Sequence, residues 1–96
     1  MINSTRDYTT EKFLISNEPV MQLAVDVLQI LNKNNKITIK GKGETCPSTV
    51  SVANIITQNM SGGTTKTEKI FVDSEISDDG RLISTIDITI TKTINQ

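Results

Sequence analysis

The sequence predicts a two-layer α/β sandwich, in the order β-α-β-α-β-β, with two helices on one face of a four-stranded mixed sheet. Three observations lead there. Residues 19–34 place apolar side chains at three- and four-residue spacing, the period of a helix face. Residues 36–40 alternate isoleucine with polar neighbours, the period of a half-buried strand. Near the C-terminus, two long alternating runs flank "SDDGR", a turn sequence whose Gly80 tolerates a positive φ.

The elements follow in order. "EKFLIS" (11–16) is a short apolar run and reads as the first strand. Pro19 suits a helix start, where a missing N–H costs nothing, and Val20, Leu23, Ala24, Val27, Leu28 and Leu31 then share one face. Asn32, Asn34 and Asn35 end the helix, because asparagine tolerates turn conformations. Ile37 and Ile39 mark the second strand, which Gly41 and Gly43 are expected to close. After Pro47, Val52, Ile55, Ile56 and Met60 give a second helical face, and Ser61-Gly62-Gly63 is the link that follows. Residues 65–76 carry Ile70, Val72 and Ile76 in one parity. Residues 82–94 carry Ile86, Ile88 and Ile90 against Thr85, Asp87, Thr89 and Thr91. The first three elements make a βαβ unit with parallel strands, and the last two make a hairpin. One sheet face is left rich in threonine and serine.

Ninety-six residues suit a single domain over 1–96, with a core at about 12–92 and a flexible N-terminal tail. The hydrophobic fraction is 35%, and Phe13, Phe71 and Tyr8 are the aromatics, so the core is expected to be isoleucine, leucine and valine. No stretch approaches the roughly 18 apolar residues of a membrane span, and "MINSTRDYTT" lacks a signal peptide's apolar run. A single cysteine, Cys46, forms no internal disulfide. These features point to a soluble intracellular protein of the cytoplasm or nucleus.

The charge pattern and the motifs exclude several chemistries. Net charge is −1, so no global basic field draws the chain to nucleic acid. Locally, Lys33, Lys36, Lys40 and Lys42 form a basic stretch, and Asp73, Glu75, Asp78 and Asp79 form an acidic one. "GKGETCPS" fits neither the P-loop nor the dinucleotide fingerprint, since position 46 is cysteine where a third glycine is needed. Cys46 has no histidine to act as its base, and one cysteine without histidine builds no metal site. Asp78 and Asp79 sit in a solvated turn, a poor place for acid–base work. No cofactor, metal or enzymatic activity is expected. A strand that delivers Lys40 and Lys42 to a turn before a helix N-terminus does offer ammonium groups and free amides to phosphates. Four lysines in ten residues also read simply as a solvated face.

"FLISNEPVMQLAVDVLQIL" followed by "ITIKGKGETCPSTVSVANII", with the closing "STIDITITK", resembles the Alba family over about residues 12–92. Pro19-Val20-Met21 and the run from Ile39 to Gly43 are its specific parts. The resemblance implies a small dimeric DNA- or RNA-binding domain, from a superfamily that includes protein subunits of ribonuclease P and MRP. Carried over residue by residue, it implies that Lys40 and Lys42 contact phosphates, that Gly41 and Gly43 let the backbone come close, and that Asn17, Ser48 and Arg81 add contacts. Ser16 and Ser48 read equally well as helix caps. Val52, Ile55 and Ile56 are expected at an interface with a like or related Alba-type chain. Asn17 and Glu18 stand where lysines are usual, Glu44 replaces an arginine, and the hairpin "DSEISDDGR" is acidic. These departures favour RNA over DNA, or else a scaffold subunit of a ribonucleoprotein with weak affinity of its own.

Overall fold

The computed structural model describes residues 11–60 and 62–93; the N-terminal tail with Tyr8, and Ser61 of the link, lie outside them. Strand β1 (Glu11–Leu14) comes first and places Phe13 against the core. Helix α1 (Val20–Asn34) begins after Pro19, whose carbonyl accepts from the amides of Gln22 and Leu23. Its face follows the expected spacing. Leu23, Ala24, Val27 and Leu31 are buried, and Val20 and Leu28 flank them. Burial of a leucine or valine side chain contributes about 1.5–3 kcal/mol, so this stripe anchors the helix layer. Asn32 and Asn34 lie within the last turn, and Asn35 alone takes the left-handed conformation, at φ 68°, that ends the helix.

Strand β2 (Lys36–Lys42) runs through Gly41 instead of closing there, and Gly43 begins a short 3-10 turn, Gly43–Thr45. Helix α2 (Cys46–Asn54) continues into a π-helical segment, Ile55–Met60. The expected second helix is therefore present but wider in its last turns, where the Thr57 hydroxyl donates to the Ala53 carbonyl at 2.9 Å. Strands β3 (Thr65–Ile76) and β4 (Leu82–Lys92) form the hairpin, joined by a turn in which the Gly80 amide donates to the Ser77 carbonyl at 2.9 Å.

The sheet order is β1-β2-β4-β3, with β1 and β2 parallel and the other pairs antiparallel. Register divides the side chains between two faces. Ile37 pairs with Ile90 and Ile39 with Ile88, and all four pack with α1 and α2 in one core. On the opposite face Thr38 meets Thr89 and Lys40 meets Asp87. The hairpin runs on past the end of β2, because Lys42 pairs with Thr85 and β4 still has Leu82, Ile83 and Ser84 to spend. Along the hairpin Ile70, Val72, Ile76 and Leu82 share the core-side face but stay 58–72% exposed; Ile76 and Leu82 lie on the overhang, whereas Ile70 and Val72 stand beside Ile88 and Ile86, which pair with β2.

Candidate nucleic-acid interface

Because β1 and β2 are parallel, both strand-to-helix connections leave the same edge of the sheet. The Ile15 amide donates to the Lys40 carbonyl at 2.9 Å, which sets the Ser16–Glu18 connection beside the end of β2. The hairpin overhang borders the same edge. Lys42, Gly43, Glu44, Arg81 and Ile83 together line a shallow hollow of about 470 Å³. The expected site residues Lys42, Gly43 and Arg81 are thus brought together. Asn17 is exposed on the neighbouring connection, and Ser48 is half-buried in the first turn of α2.

The loop is built by a short hydrogen-bond exchange. The Lys42 amide donates to Thr45 Oγ1 at 2.8 Å, and the Thr45 hydroxyl donates to the Lys42 carbonyl at 2.9 Å. Gly43, at φ 56°, takes the left-handed conformation that lets the chain turn into the 3-10 segment. Gly41 has a different duty from the one expected. It is buried, and a Cβ there would lie 2.1 Å from Thr49 Oγ1 and 2.9 Å from the Thr45 carbonyl. Its missing side chain admits α2 against the sheet, so its role is packing and not close approach to a ligand. Ser16 Oγ accepts from the Glu18 amide at 3.4 Å, a local turn contact within the connection and not a cap, since the residue that caps α1 is Pro19.

Each expected cation has an acidic partner within the chain. Lys40 Nζ lies 3.5 Å from Asp87 Oδ1, Lys42 Nζ lies 3.3 Å from Glu75 Oε2, and Arg81 Nε lies 3.0 Å from Asp79 Oδ2. Asp79 is held below the usual aspartate range, first by a hydrogen bond from the Ser77 hydroxyl and then by Arg81. The pairs of Lys40 with Asp87 and Lys42 with Glu75 depend on cross-strand register and are not visible in the sequence, whereas Arg81 and Asp79 are neighbours within one turn. Cys46 is half-buried with its thiol 3.5 Å from the Ser84 carbonyl, as a small packing residue would be. Of the three residues expected to meet a partner chain, Val52 and Ile56 are fully buried within the protomer, and Ile55 is half-buried against the same core. Among the described residues no group of three or more acidic or cysteine side chains is placed to hold a metal, and no helix is long and apolar enough to cross a membrane.

The fold and this edge define a small α/β domain that presents two strand-to-helix loops and a projecting hairpin on one side. A family model described as Alba matches residues 11–74. Among solved structures, Alba from Thermoplasma volcanium superposes with a TM-score of 0.75 at 30% identity, covering 85% of this chain and 100% of that one. No curated protein matches by sequence. The chain belongs to the Alba family, whose members bind nucleic acids and typically dimerise.

Proposed function

We propose that the chain is a non-catalytic nucleic-acid-binding protein inside the cell, a single domain that favours RNA over DNA. It contacts phosphates through the loop and hairpin edge of a dimer. The observation that carries this reading is the hollow where Lys42, Gly43 and Arg81 meet beside the amides of the 3-10 turn. Lys40 stands next along β2, with Asn17 and Ser48 at the margins. The internal ion pairs weaken this site without closing it. Exposed pairs of this kind are worth about 0–1 kcal/mol, so a phosphate exchanges with Glu75 or Asp79 at little cost. Binding is accordingly weak and salt-sensitive.

Dimerisation draws on apolar surface that the protomer leaves uncovered. Ile70, Val72, Ile76 and Leu82 form a stripe along the core-side face of the hairpin, and Ile55 with the exposed Val50 adds apolar surface on the second helix. Pairing of two chains through these elements sets two loop edges in one assembly. The second reading, a scaffold subunit whose partner supplies the positive charge, is favoured by one observation: Lys40, Lys42 and Arg81 all face carboxylates of their own chain.

Titration of labelled single-stranded RNA and double-stranded DNA at two salt concentrations, with light scattering on the same sample, separates the readings. Salt-sensitive RNA binding by a dimer, weakened several-fold by Lys42→Glu and less by Arg6→Glu, supports the first. A stable dimer that binds neither nucleic acid leaves the scaffold.

A further inference from the structure

The face of the sheet turned away from the helices carries a second constellation, remote from the phosphate loop in role. Its rows run across all four strands. Lys12, Thr38, Thr89 and Lys69 form one row, and Leu14, Lys40, Asp87 and Phe71 form the next. Lys12, Thr38, Lys69, Phe71, Asp87 and Thr89 line a hollow of about 270 Å³. Phe71 is 56% exposed, an unusual position for one of only two phenylalanines in the sequence. The other, Phe13, packs against the core.

Charge on this face has a pattern. The carboxylate of Asp87 sits on a central strand, where Lys40 and Lys12 approach it at 3.5 and 3.9 Å. The lysines Lys12 and Lys69 stand on the two outer strands, roughly 14 Å apart across three strand spacings. Among the described residues Lys69 has no carboxylate within ion-pair distance. A negative centre repels phosphate, whereas a carboxylate accepts hydrogen bonds from base amino groups. The hydroxyls of Thr38 and Thr89, 2.8 Å apart and bonded to each other, leave one O–H for a further acceptor. An exposed aromatic ring on the outer strand β3, two residues from Lys69, with Lys12 on the opposite outer strand, suits a strand lying flat across the sheet, with a base on the ring and phosphates at the ammonium groups. A duplex keeps its bases stacked and offers nothing to Phe71.

We infer that this open sheet face is a base-stacking platform for unpaired RNA, with Phe71 as the stacking residue and Lys12 and Lys69 as its flanking phosphate contacts. The inference rests on the proposed RNA-binding reading and adds to it a preference for single strands. Stacking of one base on an aromatic side chain accounts for about tenfold in affinity. Phe71 is exposed in the protomer, so its truncation leaves the core intact.

The test is fluorescence anisotropy with a labelled adenine-only RNA decamer and with an RNA duplex of equal length, on the wild type and on Phe71→Ala, Phe71→Tyr and Lys42→Glu. Circular dichroism checks that each variant is folded, and light scattering gives its mass. The expected result is about a tenfold loss of decamer binding in Phe71→Ala, restored in Phe71→Tyr, with duplex binding unchanged, whereas Lys42→Glu weakens both probes. Equal decamer binding by Phe71→Ala and wild type overturns the platform while the loop reading stands on Lys42→Glu. A change of mass in Phe71→Ala with unaltered decamer binding overturns it too and assigns the face to self-association. No binding of either probe by the wild type removes both readings.

Discussion

Two residues show how one loop serves packing and charge at once. Gly41 is held to glycine by Thr45 and Thr49 of the layer above it. Gly41→Ala forces a shift of backbone as well as of a threonine side chain, and we expect a loss of about 1–3 kcal/mol in urea denaturation, the usual cost of overpacking. Gly43→Ala meets no such obstacle, since the nearest atom to its Cβ is Ile83 Cγ2 at 3.6 Å; its cost is the strain of φ 56° alone. A larger loss at Gly43 than at Gly41 contradicts the packing account. Lys42 tells the electrostatic half. Glu75→Gln removes the carboxylate 3.3 Å from its ammonium group, which frees that group for phosphate. RNA affinity is expected to rise a few-fold at low salt, and the rise to fade as salt is added. An unchanged affinity at low salt means that Lys42 does not face the ligand.

Elements differ in how much of them the sequence discloses, for physical reasons. Helix α1 was legible because its burial is one-sided: Leu23, Val27 and Leu31 repeat at helical spacing, and asparagines stand where it ends. The hairpin was legible from alternation and from "SDDGR". The extent of β2 was not, since a glycine pair ordinarily breaks a strand, and nothing local reveals that α2 rests on Gly41. The π-helical end of the second helix was equally hidden. The site was legible only by type. Lys40 and Lys42 announce positive charge, but their partners Asp87 and Glu75 come from the far hairpin and are found only through register. The same hairpin carries the element-scale prediction. Val72 and Ile76 are 66% and 70% exposed on the apolar stripe of the hairpin. Val72→Lys with Ile76→Lys is therefore expected to leave thermal unfolding of the protomer close to wild type at low concentration while driving any dimer to monomer in light scattering. A dimer that survives both charges does not use the hairpin, and Ile55 with Val50 becomes the region to alter next.

At the scale of the whole molecule, the proposed phosphate binding is expected to follow charge balance. The chain carries ten basic and eleven acidic residues, and among the described residues five ion pairs tie the two sets together. Three of them hold the cations of the candidate edge. A polyanion must displace those carboxylates, so the wild type is expected to release fewer counterions, and to show a shallower salt dependence, than a variant that lacks them. Replacing the three partners together, as Glu75→Gln, Asp79→Asn and Asp87→Asn, keeps shape and hydrogen-bonding capacity while removing the competition. Each freed cation that reaches a phosphate steepens the slope of log K against log salt by about 0.7 on single-stranded RNA, so the triple variant is expected to steepen it by up to about 2. Dimerisation doubles the number of edges and gives a long strand a second foothold without a new kind of contact. Salt titrations of wild type and triple variant, at concentrations above and below the monomer–dimer transition, read both effects. If neither protein binds, the acidic partners are not what restrains the edge, and a partner chain must supply the charge.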